Sequence, residues 1–216
     1  MTTDKVAPSA GSWRKATVPC PPRTDNELIA AVHVLGASLL VAIKSAINIE
    51  ELKQAGIYPV SPPVAGFHLH AWQILQTMLV EERRLIEFLV GPHTFTDKGT
   101  GATKSNRDTI CINCFGSSIT DTWWMNDDVR VRLRWRAQRT NKRVAHLDWL
   151  LIDEYDSRVV SGIWQTGYLK EIVNQFRDFT EWLYDRRPHV AEILAPQYID
   201  PASARVMQLP VPGPPF

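Results

Sequence analysis

The sequence predicts an all-α fold: a single helical bundle of roughly four to six helices, with a flexible N-terminal segment and a proline-rich C-terminal tail. Three observations carry this. Thr24-Asp25-Asn26-Glu27 is a capping box placed just before a long apolar run. That run carries Leu28, Val32, Leu35, Leu39, Ala42, Ala46 and Ile49 at alternating spacings of four and three, the period of one helix face. Near the other end, Leu169, Ile172, Phe176, Phe179 and Leu183 repeat the same spacing. The expected organisation is a flexible segment over 1–23, a bundle over 24–195, and an extended or disordered tail over 196–216.

The first helix should end near Gly56, with His33, Lys44 and Glu51 as a narrow polar stripe on a body apolar almost all round. Leu28 to Ile43, interrupted by His33 and stopped by Lys44, falls short of the roughly 20 residues that span a bilayer. A buried core helix is therefore expected, and no membrane partner. Tyr58 to Pro63 is a proline-broken connector, and a second helix should run from about 65 to 90. Its stripe is Ala71, Ile74 or Leu75, Met78, Leu85 and Leu89. Glu82 falls inside that stripe, where a carboxylate needs a partner or a shifted pKa. The simpler expectation puts it at the stripe's edge, reaching water.

Phe95 to Asp108 is polar and reads as a surface loop, and Thr109 to Trp124 has too weak a period to assign. From Asp127 to Arg136, Val129, Val131, Leu133 and Trp135 alternate with four arginines, the signature of a strand. The competing helix uses Val129, Leu133, Ala137 and Thr140 as one face, and the helical surroundings favour a helix or irregular structure over the strand. A further helical pattern covers about 139 to 155, and a final helix about 163 to 186, ended by Pro188.

The chain has 216 residues, 24 basic and 23 acidic, for a net charge of +1. This excludes a wholly polybasic nucleic-acid binder and an acidic disordered chain. The cysteines, Cys20, Cys111 and Cys114, cannot all pair, and so sparse a set points to the cytoplasm. Residues 1–22 lack the basic start and apolar core of a signal peptide. Cys111-x-x-Cys114 is half a zinc site without a second half, and it lacks the strand–helix context of a thioredoxin-like motif. His68 and His70, two apart, diverge around a helix and cannot clamp one ion. Gly99-Thr-Gly101 lacks the lysine and following helix of a phosphate loop, and no nucleophile elbow is present. Neither a metal nor a cofactor is expected.

Charge is concentrated instead. Between Asp127 and Arg143 stand seven basic residues, Arg130, Arg132, Arg134, Arg136, Arg139, Lys142 and Arg143, against Asp127 and Asp128, a local charge of +5. Arginine forks suit phosphate and can stack on bases, so RNA or an acidic protein is the partner such a patch implies. Seven residues advance a helix about 700°, so Arg139 and His146 share one side roughly 10 Å apart along the axis. A histidine there can act as general acid or base while the arginine steadies phosphate charge.

Arg139-x6-His146, late in a helical chain and preceded by arginines, resembles the Arg-x(4–6)-His element of HEPN-type domains. More closely, Glu82-Arg-Arg-Leu-Ile-Glu-Phe-Leu89 and Asn141-Lys-Arg-Val-Ala-His-Leu147, followed by a tryptophan and a final helix, resemble an uncharacterised HEPN-like bacterial group. The likeness spans about residues 25–185. It implies an all-α bundle, frequent homodimers, membership among toxin and defence proteins, and metal-independent RNA cleavage in active members. By that resemblance His146 would be the acid/base and Arg139 the phosphate ligand; from the charge cluster, Arg136 and Arg143 are expected as supporting contacts. The alternative expectation is a non-catalytic helical interaction protein.

Overall fold

The computed structural model describes residues 23–57, 69–90, 94–96, 103–105, 110–116, 127–144 and 165–211. They form an all-α bundle. Helix α1 is Asp25–Gln54, α2 is Leu69–Val90, α3 is Asp127–Val144 and α4 is Tyr168–Arg186. Two shorter helices follow, α5 at Pro188–Leu194 and α6 at Asp200–Val206, joined by a π-helical turn over Ala195–Ile199.

Both ends of α1 follow from local chemistry. The Thr24 hydroxyl accepts from the Glu27 backbone N–H, and the Glu27 carboxylate accepts from the Thr24 N–H at 2.8 Å. The box thus satisfies donors that the first turn leaves without partners. At the other end Gly56 takes φ +74°, its N–H reaching Lys53 O while Ile57 N–H reaches Leu52 O. This is the paired-bond stop that a glycine just past a helix supplies. In between, Leu28, Val32, Leu35, Leu39, Ala42, Ala46 and Ile49 are all buried, whereas His33, Lys44 and Glu51 are exposed. By length and composition α1 could cross a bilayer, but half of its most apolar window is buried inside the bundle. It packs on α2, α4, α5 and α6.

The α4 stripe is likewise buried at every predicted position. Phe88 of α2 meets Phe176 and Phe179 of α4, and Phe115 packs edge-on to both Phe88 and Phe179. Phe115 ends a short 3₁₀ turn, Ile112–Phe115, inside the stretch whose weak period resisted assignment.

Three expectations are corrected. The ends of the 95–108 loop pair as a short antiparallel hairpin, Thr94–Thr96 with Thr103–Ser105, Phe95 opposite Lys104. Pro188 does not only end α4; after Arg187 it opens α5 from a first-turn position, where its missing N–H costs nothing. The tail expected to be extended from residue 196 continues the bundle to Leu209. Ile199, Ala202, Val206 and Leu209 are buried in the common core, and Pro201 again sits in a helix's first turn. The π turn places Tyr198 over α1, where its hydroxyl meets His33 Nδ1 at 2.8 Å. Gly36 makes room: a Cβ there would lie 2.1 Å from the Tyr198 ring. The expected helical pattern over 145–155 lies outside the described residues.

Candidate functional site: the arginine helix

Residues 127–144 form a helix, and this changes what the arginine row can do. A strand would set Arg130, Arg132, Arg134 and Arg136 on one face. In a helix, steps of two turn about 200°, so the row splits into two i, i+4 pairs on opposed sides. Arg132 faces α4, and Arg136 faces Glu82 of α2 and the segment before α4. Arg134, the neighbour of Arg130, faces the end of α2. Leu133 and Ala137, buried, hold the face between them.

Arg136 is 4% exposed and Glu82 1%. Arg136 Nε donates to Glu82 Oε1 at 2.7 Å and its Nη2 to Oε2 at 3.1 Å, a two-point fork. The same Nη2 reaches Gln165 O at 3.3 Å, and the guanidinium lies 4.9 Å from the Tyr168 ring centre. Glu82 therefore does not reach water from a stripe's edge. It is buried, and a cation 54 residues away neutralises it. Arg136, expected among the phosphate contacts, is correspondingly withdrawn from the surface. Its donors are committed because leaving either charge alone in the core would cost more than the pair.

The other arginines are engaged too. Arg132 pairs with Glu171 of α4, whose hydrogen bond raises the guanidinium's pKa. Arg134 donates to Val90 O at 3.1 Å, serving one of the carbonyls that the end of α2 leaves without a helical partner. Burial, with the charge of Arg130 second, lowers its pKa. Arg130 is half-buried. Beyond Arg136, the backbone of α3 carries Arg139, Lys142 and Arg143, whose side chains are not described, and His146 and His68 lie outside the described residues. The structure thus assembles Arg132, Arg134 and Arg136 into a docking surface and leaves the Arg139–His146 pairing where the sequence put it, as an expectation.

The polar network continues to α1. Thr166, just before α4, donates to Glu50 Oε1 at 2.6 Å, and Lys53 Nζ meets the same oxygen at 2.7 Å. Gln165, Thr166 and Tyr168 therefore tie α1 and α3 together where α4 begins. Burial raises the Tyr168 phenol pKa, and among the described residues its hydroxyl has no hydrogen-bond partner, so it adds no bond to the network. Glu50, Thr166 and Tyr168 carried no sequence signal, because each matters only through residues distant in the chain. Among the described residues, no group of three or more His, Cys, Asp or Glu side chains gathers in a way that could hold a metal.

Comparison with protein-family models, with curated proteins and with solved structures finds no match.

A second surface lies on α1. Ala30, Val34, Ala37 and Val41, at spacings of four, three and four, are exposed, Val34 by 58% and Val41 by 43%. They form a seam of heptad spacing on the side away from the core.

Proposed function

We propose that this chain is a helical interaction protein whose first helix self-associates. The observation that carries the reading is the exposed seam Ala30, Val34, Ala37 and Val41. A two-fold pairing makes each contact twice, residue i on j and j on i. One antiparallel register of two α1 helices sets Ala30 opposite Val41 and Val34 opposite Ala37, small against large throughout. The same register sets exposed Glu27 opposite exposed Lys44, a charge match at each end of the seam. A homodimer is also what the HEPN resemblance implies. So small a seam supports a concentration-dependent dimer rather than an obligate one.

The test is molar mass by light scattering across a concentration series. Wild type should move from monomer to dimer. Val34→Asp with Val41→Asp should stay monomeric with unchanged helical circular dichroism, and Lys44→Glu should weaken the dimer. A wild-type chain that is monomeric throughout ends the reading.

A second reading keeps RNA as partner. It rests on Arg139, Lys142 and Arg143, which follow the last arginine that α3 uses for docking. In it these three contact phosphate, and His146 with Arg139 cleaves through the 2′-hydroxyl as acid/base and phosphate ligand. Binding to a single-stranded RNA should then fall steeply with salt and weaken in Lys142→Ala with Arg143→Ala. Equal cleavage by wild type and His146→Ala, or none by either, removes the catalytic part.

A further inference from the structure

Cys111 and Cys114 are used by neither reading. The Cys114 N–H donates to Cys111 O at 2.9 Å, which closes a turn leading through the 3₁₀ segment Ile112–Phe115. At three residues per turn, side chains at i and i+3 eclipse one another. The two sulfurs consequently stand on one side, 3.6 Å apart. Both residues are buried, Cys111 to 3% exposure and Cys114 to 7%, and neither is in a disulfide. A disulfide needs about 2.05 Å between sulfurs and Cα atoms about 4.4 to 6.8 Å apart. A hydrogen-bonded turn already holds its first and fourth Cα atoms within about 7 Å. The turn thus sets the two Cα atoms close to that range, and the sulfurs, already on one side, have about 1.5 Å left to close.

We propose that Cys111 and Cys114 form a redox-modification site, a dithiol that a small hydroperoxide converts to an intrachain disulfide. Burial selects the oxidant: hydrogen peroxide is small enough to enter at a residue 7% exposed, whereas a tripeptide disulfide such as oxidised glutathione has no surface there to dock on. The sulfur of Cys114, the less buried of the two residues, attacks one peroxide oxygen. The O–O bond breaks, the thiol proton leaves with the departing oxygen as water, and Cys114 becomes a sulfenic acid. The Cys111 sulfur then attacks the Cys114 sulfur, the S–O bond breaks, and the hydroxyl leaves as water with the Cys111 proton. One peroxide is reduced by two electrons, two waters form, and the dithiol is oxidised to a disulfide. A dithiol reductant reverses it by exchange.

The site is set where a change can be felt. The turn carries Phe115, packed against Phe88 and Phe179, and the Phe115 carbonyl accepts from Arg187, which also pairs with Asp25 in the first turn of α1.

The experiment treats the purified full chain with hydrogen peroxide, then alkylates it under denaturing conditions. The wild type should lose two hydrogens in intact mass and retain one alkylatable thiol, Cys20, with a 111–114 cross-link in the peptide map. Dithiothreitol should restore all three thiols. In Cys111→Ser, Cys114 should accumulate as a sulfenic acid captured by dimedone, at least tenfold above wild type. Three results overturn the proposal: both thiols still alkylatable, oxygen added to either sulfur without a cross-link, or protection by a bound zinc ion that a chelator abolishes without any mass loss.

Discussion

Helices α1 and α3 both pack on α2, by different physics. α1 lays a continuous aliphatic face, Leu28 through Ile49, into the core, and every member of it is buried. α3 is rich in arginine and contributes Leu133 and Ala137 to the core, then adds the buried Arg136–Glu82 fork and the Arg132–Glu171 pair. Aliphatic contact is non-directional and tolerates small shifts. A two-point ion pair in the core tolerates none, since any slip of α3 along α2 strands a charge. The difference teaches that arginine content in α3 measures how the helix is docked before it measures what the helix can bind.

The sharpest way to break this contrast is to remove one member of the fork. Arg136→Ala or Glu82→Ala should lower unfolding free energy by about 3–5 kcal/mol, because the remaining charge is buried alone. Glu82→Leu combined with Arg136→Met should restore most of that loss in urea titrations, since a well-packed apolar pair can replace a buried ion pair. If the single variants unfold like wild type, the pair does not hold α3.

On the aliphatic side, Gly36→Ala should cost about 1–3 kcal/mol by forcing the Tyr198 ring off α1. Adding Tyr198→Ala should recover part of it, and a purely additive double variant would show that the two sites are not in contact.

A smaller effect belongs to the cap. Thr24→Ala should cost about 1 kcal/mol. Bonds from the Thr24 backbone and then its hydroxyl lower the Glu27 pKa. The folded value lies below the unfolded one, so this contribution is complete above the ordinary glutamate range and is lost as pH falls through the folded value. Acid melts of wild type should show that loss, melts of Glu27→Gln should lack it, and melts of Thr24→Ala, which keeps the backbone donor, should retain part of it.

The least effect is expected for Arg132→Ala. Its side chain is 38% exposed, so the pair with Glu171 should contribute under about 1 kcal/mol and fade with added salt. A loss as large as that of Arg136→Ala would erase the distinction between buried and exposed arginines.

Much of the fold was legible where one segment carries its own signal. The capping box of α1, its seven-residue core stripe, its stop at Gly56 and the α4 stripe depend on neighbours a few residues away, and the structure places each as read. The C-terminal region was not legible, for a local reason as well. Its core residues run Val190, Leu194, Ile199, Ala202 and Val206, and the step of five across the π turn breaks the helical period. Pro196 and Pro201 then look like breakers, although Pro201 begins a helix. The arginine row was ambiguous because strict alternation satisfies a strand, while Leu133 and Ala137 satisfy a helix just as well.

The sequence by itself determined the helical class, the ends of α1 and the faces that α1 and α4 bury, because backbone capping and 3.6-residue periodicity act over a turn or two. Only the tertiary structure decided that Glu82 and Arg136 neutralise one another, that Gly36 exists to admit Tyr198, and that two cysteine sulfurs share one side of a turn beside the aromatic core. The first two are meetings across 54 and 162 residues, where burial sets the energy and no local pattern encodes the partner. The third is local in sequence, yet it needed the 3₁₀ geometry and the surrounding core to set the two sulfurs 3.6 Å apart on one side and bury both residues.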